Sequence, residues 1–213
     1  MSLYLIRHGQ TDWNAARRVQ GREDISLNAA GFAQAKAAAS ALQAGNAVRI
    51  LTSPLLRARQ TADTLAAVLH LPAPVVEAGL TERDYGPLTG LPYGTGQDLY
   101  SFTESHPDGM ETLEQVRDRA LPVLQRAGCL PGSSILVSHG GTINILLWAV
   151  TGGRLGYGVT RLQNACISVL ESRADGGFTV TACNLTAAEL QLPYPAERPE
   201  ASENDGHRQK NLL

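Results

Sequence analysis

Short apolar runs recur along the chain and are separated by segments of helical period. Ser2–Arg7 (SLYLIR) is such a run with a glycine soon after it, the pattern of a buried strand. Asn28–Ala44 is rich in alanine and opens on a capping residue, so it predicts a helix. Val48–Thr52 predicts a second strand. Ser53-Pro54 then has the form of an N-cap with proline at the first helical position, opening a helix to about His70. Pro74–Glu77 is a third candidate strand. Thr81–Thr95 holds five glycines and prolines and predicts loop. Helical patterns follow at Gln97–Ser105 and Glu111–Ala127, then a buried strand at Ser134–Ser138 and a helix over Thr142–Thr151. Cys166–Ser172 and Phe178–Asn184 predict a hairpin turned by Asp175-Gly176-Gly177.

Strands alternating with helices predict an α/β fold: a three-layer sandwich with a mostly parallel central sheet and helices on both faces. The expected organisation is one domain over residues 1–192, with 193–213 as a polar tail that has no core of its own. Ligands of such sheets bind beyond the carboxyl ends of the strands. Three junctions fall there: Arg7-His8-Gly9, Ser53-Pro54 with Arg57, and Ser138-His139-Gly140.

An isolated Arg-His-Gly triplet is more often a packed histidine with a satisfied hydrogen bond than a site. The chemistry is sharper where an arginine adjoins it. A histidine nucleophile needs a neutral ring, and a nearby guanidinium repels the imidazolium. At about 4 Å and an effective dielectric of about 20 the repulsion is ~4 kcal/mol before screening. The same guanidinium can hold a phosphate with paired hydrogen bonds, and Gly9 would leave room for the phosphoryl group. Arg57, near the first turn of a helix, would add a full charge to an anion-binding N-terminus, whereas Arg59 should point elsewhere. His139 would donate to phosphate oxygens. A carboxyl group in Leu80–Gly86 could protonate a leaving alkoxide, with Glu82 and Asp84 inseparable by spacing.

Composition narrows the function classes. The 213 residues are 43% hydrophobic and 18% charged, ordinary for a globular chain. Net charge is −2, the lysines are Lys36 and Lys210 alone, and no basic run exists, which argues against nucleic acid. Cys129, Cys166 and Cys183 are odd in number and lack CxxC spacing, so neither a disulfide framework nor a zinc site is expected, and a cytoplasmic location fits. The most apolar stretch, Ile143–Val150, is too short to span a bilayer, and no leader or lipidation signal is read at the start, so no membrane partner is expected.

Four motifs together resemble the histidine phosphatase superfamily, the phosphoglycerate mutase-like proteins. They are RHGQTDWN at Arg7–Asn14, TSPLLRARQTA at Thr52–Ala62, LTERDYGPLTG at Leu80–Gly90 and VSHGGTIN at Val137–Asn144, in the family's order. The resemblance implies that His8 is the phosphorylated histidine, that Arg7, Asn14, Arg57 and His139 bind phosphate, and that Glu82 rather than Asp84 is the proton donor. It implies no metal or other cofactor. Gln10 stands where many members have glutamate, and the match fades after about residue 155.

The expected activity is metal-independent hydrolysis of a small phosphomonoester through phosphohistidine. Family mutases grip a second anionic end with lysine and arginine in a long insertion; Asp84–Val116 has neither residue and the insertion looks short, which favours hydrolysis. The LTERDYGPLTGL sequence itself leans toward the mutase form, so a cofactor-dependent phosphoglycerate mutase is the alternative. A non-catalytic relative or a member acting on protein phosphohistidine is a further one. The segment Leu91–Met110, with Tyr93, Tyr100, Phe102 and His106, suggests a neutral or partly apolar leaving group. A homodimer is compatible with the sequence and not specified by it.

Overall fold

The computed structural model describes residues 1–43, 46–94 and 109–190. Strand β1 (Ser2–Arg7) lies inside a six-stranded sheet of order β3-β2-β4-β1-β5-β6, with β2 at Ala47–Thr52, β3 at Val75–Val76, β4 at Ser133–Ser138, β5 at Ile167–Ser172 and β6 at Phe178–Leu185. The pairings β2 with β3, β2 with β4 and β1 with β4 are parallel; β5 runs antiparallel to both β1 and β6. Only β5 therefore opposes the common direction, and the expected mostly parallel sheet is realised as a mixed one.

The side-chain period of two divides β1 between two cores. Leu3 and Leu5 join Leu124, Ile143 and Leu146 of helices α4 (Leu113–Cys129) and α5 (Gly140–Thr151). Tyr4 and Ile6 join Ala38, Ala39, Ala58, Ala62 and Leu65 of α2 (Ala29–Leu42) and α3 (Leu56–Leu69) on the other face. A strand buried on both faces reads as a continuous apolar run, as this one does.

Register positions the site. Arg7 lies opposite Ser138, and Thr52 opposite Val137, so β1, β2 and β4 end level with one another. His8, Ser53 and His139 each follow the last residue of one of these strands and emerge on one rim.

Helix starts depart from the sequence expectation. Helix α3 begins at Leu56 with Leu55 as N-cap, because the Ser53 hydroxyl accepts the Leu55 amide (3.3 Å) and makes a turn ahead of the helix. Helix α5 begins earlier than expected, at Gly140 with His139 as N-cap, because a carboxylate from elsewhere in the chain caps it. A four-residue helix, α1 (Asp12–Ala15), was not anticipated; Thr11 and Asn14 form its capping box. Strand β3 has two residues instead of the expected four. Gly9 serves packing: a side chain there would strike the backbone of Gly31 at the start of α2, and one at Gly31 would strike Gln10. The expected helix over Gln97–Ser105 and the tail from residue 193 lie outside the described residues. Among the described residues no helix is long and apolar enough to cross a membrane.

Candidate active site

His8 is 2% exposed and tied into the rim by its amide, which donates to the Ser138 carbonyl (3.0 Å). Its Nδ1 lies 2.7 Å from the Gly9 carbonyl, and the Arg57 Nε–H donates to its Nε2 (3.2 Å). A carbonyl can only accept and a guanidinium can only donate, so the ring is the neutral tautomer with hydrogen on Nδ1 and a lone pair on Nε2. Burial above all, then the charges of Arg57 and Arg7, push the His8 pKa well below the ordinary histidine range, against the pull of the Gly9 hydrogen bond.

Arg57 is fully buried in the first turn of α3. Its Nη1 donates to the Glu23 carbonyl (2.7 Å) and its Nη2 to the Gly21 carbonyl (2.8 Å), which leaves Nε for His8. Burial lowers its pKa to about 10, so it remains cationic at neutral pH. Arg7 donates from Nη1 to the Leu162 carbonyl (2.6 Å), while its Nε is buried without a partner among the described residues. Arg59 is exposed, as its helical spacing from Arg57 predicts.

The His139 ring lies 5.2 Å from that of His8, centroid to centroid, and is fully buried. Its Nε2 is 2.7 Å from Ser53 Oγ, and its Nδ1 is buried without a partner among the described residues. Burial first, then Arg57, His8, Arg7 and Arg119, push its pKa well down.

The structure separates the two loop carboxylates. Glu82 lines the cavity and caps α5: its oxygens accept the amides of Gly141 and Thr142 (3.1 Å each), the Arg83 amide (2.8 Å) and the Thr142 hydroxyl (3.2 Å). Asp84 is spent on its own turn, accepting the Gly86 amide (2.9 Å), and lies 3.7 Å from Arg22. Arg119 clamps the Glu82 loop from α4, donating to the carbonyls of Gly79, Thr81 and Glu82 and to the Glu111 carboxylate. Burial would raise the Glu111 pKa, but Arg119, the Asp84 amide and Arg22 together outweigh it and hold that carboxylate below its ordinary range.

Asn14 sits at the edge of this arrangement. Its carboxamide oxygen is occupied by the Thr11 amide and hydroxyl (3.1 Å each) and by Asn164 Nδ2 (3.2 Å), and it does not line the cavity. Asn164 also donates to the His8 carbonyl (3.2 Å), so Asn14 supports the His8 loop through one neighbour.

Arg7, His8, Arg57 and Glu82 open onto one cavity of about 620 Å³. Tyr93, which the sequence placed in the segment that shapes the leaving-group side, also lines it, as do Gln20, Arg17, Tyr85, Asn144 and Arg161, to which sequence reasoning assigned no role. Arg161 lies beyond the last motif and Arg17 just past the first, so neither falls inside one. Among the described residues no group of three or more His, Cys, Asp or Glu side chains is placed to hold a metal ion.

Known proteins resemble this chain in sequence and in fold. The uncharacterized phosphatase PhoE of Bacillus subtilis (strain 168) is 40% identical over 174 residues, 78% of this chain and 86% of that protein. The metal-independent phosphoserine phosphatase of Arabidopsis thaliana is 32% identical over 184 residues, 80% of this chain and 76% of that one. The structure of mycobacterial glucosyl-3-phosphoglycerate phosphatase complexed with VO3 superposes with a TM-score of 0.78 at 28% identity, covering 87% of this chain and 99% of the other. A family model matches residues 3–186, and the chain belongs to the histidine phosphatase superfamily (branch 1).

Proposed function

We propose that this protein is a phosphatase that hydrolyses small phosphomonoesters through a phosphohistidine formed at His8 Nε2. The observation that carries the reading is the buried, neutral His8 ring, its Nδ1 hydrogen fixed by the Gly9 carbonyl and its Nε2 lone pair directed at a guanidinium. The phosphatase names of its relatives support a small phosphate ester as substrate.

In the resting site Arg57 Nε–H occupies the nucleophilic lone pair. An incoming phosphate oxygen takes over that donor, and the unpartnered Nε of Arg7 supplies another. Ser53 Oγ accepts the Leu55 amide and has its own proton to give to His139 Nε2; in that tautomer the ring hydrogen of His139 lies on the unpartnered Nδ1 as a third donor. The Nε2–P bond forms as the ester P–O bond breaks, and Glu82 gives a proton to the leaving oxygen. Water then attacks phosphorus, the P–N bond breaks, and Glu82 recovers a proton. Beyond the covalent bond at His8, the protein's work is positioning and charge stabilisation, and each such donor is worth about 10²–10³ in rate.

Phosphate release from p-nitrophenyl phosphate in the presence of a chelator tests the reading. Activity should persist with chelator and fall by at least about 10³ in His8→Ala, with acid-labile, alkali-stable label on wild-type protein after a quench. A His8→Ala variant at full rate would end it. Conversion of 3- to 2-phosphoglycerate without net phosphate release would favour the mutase instead.

A further inference from the structure

Four guanidinium groups line the cavity, those of Arg7, Arg17, Arg57 and Arg161, against one carboxylate, Glu82. With His8 neutral, the balance of these described lining groups is +4 − 1 = +3. A phosphate dianion offsets two of these charges and leaves one. Arg7 and Arg57 belong to the cage around His8. Arg17 and Arg161 do not: both are exposed at the cavity mouth, and among the described residues neither guanidinium has a hydrogen bond or an ion pair.

Both arginines are nevertheless held in place through their backbones. Arg17 has φ 54°, the left-handed region that non-glycine residues enter only at a cost, and its amide and carbonyl are bonded to Asn14 (3.1 Å) and Tyr93 (2.8 Å). Asn184 grips the Arg161 segment at two points, donating to the Arg161 carbonyl (3.0 Å) and accepting the Gln163 amide (2.8 Å). The next carbonyl, that of Leu162, receives Arg7 Nη1, so Arg161 is coupled directly to the phosphate cage. Asn144, 3% exposed and lining the same cavity, has a buried Oδ1 with no partner among the described residues and can accept from a substrate hydroxyl. A volume of about 620 Å³ leaves room for a leaving group of several carbons beyond the phosphate.

We propose that Arg17 and Arg161 form a second anion subsite, and that the substrate is a phosphomonoester carrying a further negative charge, a carboxylate, on its leaving group. The proposal rests on the phosphatase reading and refines its substrate class. It also revises the expectation of a neutral leaving group drawn from residues 91–110, because the cations come from the segments after α1 and before β5.

The test compares two three-carbon phosphomonoesters, 3-phosphoglycerate and glycerol 3-phosphate, which differ in whether the far end is a carboxylate or a hydroxymethyl group. Wild type should prefer the carboxylate by on the order of 10–100-fold in kcat/KM, about tenfold per guanidinium. In Arg17→Ala/Arg161→Ala the ratio should fall toward one, and Arg17→Lys/Arg161→Lys should retain part of it. Fructose 1,6-bisphosphate against fructose 6-phosphate separates a second phosphate from a carboxylate; a larger preference for that bisphosphate would overturn the carboxylate assignment. A wild-type ratio near one, or a ratio unchanged in the double alanine variant, would overturn the subsite. Calorimetric binding of the same compounds to His8→Ala reads the subsite without turnover, so a failure of the phosphatase reading is seen separately.

Discussion

Gly141→Ala should uncouple proton delivery from the rest of the chemistry. An alanine Cβ at this position would lie 2.8 Å from Glu82 Oε1 and 2.7 Å from the Tyr85 hydroxyl. Ordinary contact begins at about 3.4 Å, so the carboxylate must retreat by roughly 0.6 Å, which stretches its 3.1 Å bonds to the Gly141 and Thr142 amides beyond hydrogen-bonding range. Alanine gains about 1 kcal/mol over glycine in helix propensity. The two stretched bonds are worth about 0.5–1.5 kcal/mol each, which matches or exceeds that gain, so the loss of Glu82's anchoring is the larger effect. General acid catalysis supplies about 10²–10⁴ in rate, and only to substrates that need a proton. We therefore expect kcat/KM for an alkyl phosphate to fall by about 10²-fold or more, while that for p-nitrophenyl phosphate changes by less than about threefold, since nitrophenolate departs as an anion. The parameter kcat/KM covers the steps through phosphohistidine formation, so slow hydrolysis of that intermediate does not obscure the comparison. That slower second step should instead appear as a burst of nitrophenol. An equal loss on both substrates, or no loss on either, would refute the placement of Glu82 as proton donor.

Three further expectations follow from the same geometry. Arg119→Ala leaves Glu111 with only Arg22 and the Asp84 amide and strands three loop carbonyls, so Tm should fall by several degrees, and the alkyl-to-aryl ratio of kcat/KM should drop as for Gly141→Ala; Arg119→Lys should recover part of both, and an unchanged ratio would make Arg119 purely structural. The folded-state pKa values of His8 and His139 are depressed, so below about pH 6.5 the unfolded chain binds more protons than the native one, and stability falls with pH by up to about 1.4 kcal/mol per pH unit for each ring. Urea melts at pH 7.0 and 5.5 should show that loss, and His8→Asn should remove about half of the slope; a pH-independent midpoint would contradict neutral buried rings. Gly31→Ala should destabilise the protein by more than its gain in helix propensity, because the new methyl meets the Gln10 backbone, and a raised Tm would show that α2 can shift away from the His8 loop.

The central strands, the four long helices among the described residues and the residues gathered around His8 were legible in the chain because each rests on a local signal. The run SLYLIR is apolar whichever neighbours it finds, and Asn28 caps whatever helix follows it. The motifs placed His8, Arg57, Glu82 and His139, but not the reasons for their states. The tautomer of His8 depends on Arg57, which is 49 residues distant in sequence, and the start of α5 depends on a carboxylate from another loop. Asp84 and Glu82 differ in partners, not in spacing. Gly9, read as clearance for substrate, is clearance for the backbone of α2. Arg17 and Arg161 carry no local signature, since an exposed arginine looks alike on any surface. What gives them meaning is the net charge of the cavity they share, a property of the folded wall that residues distant in sequence acquire only once packing brings them together.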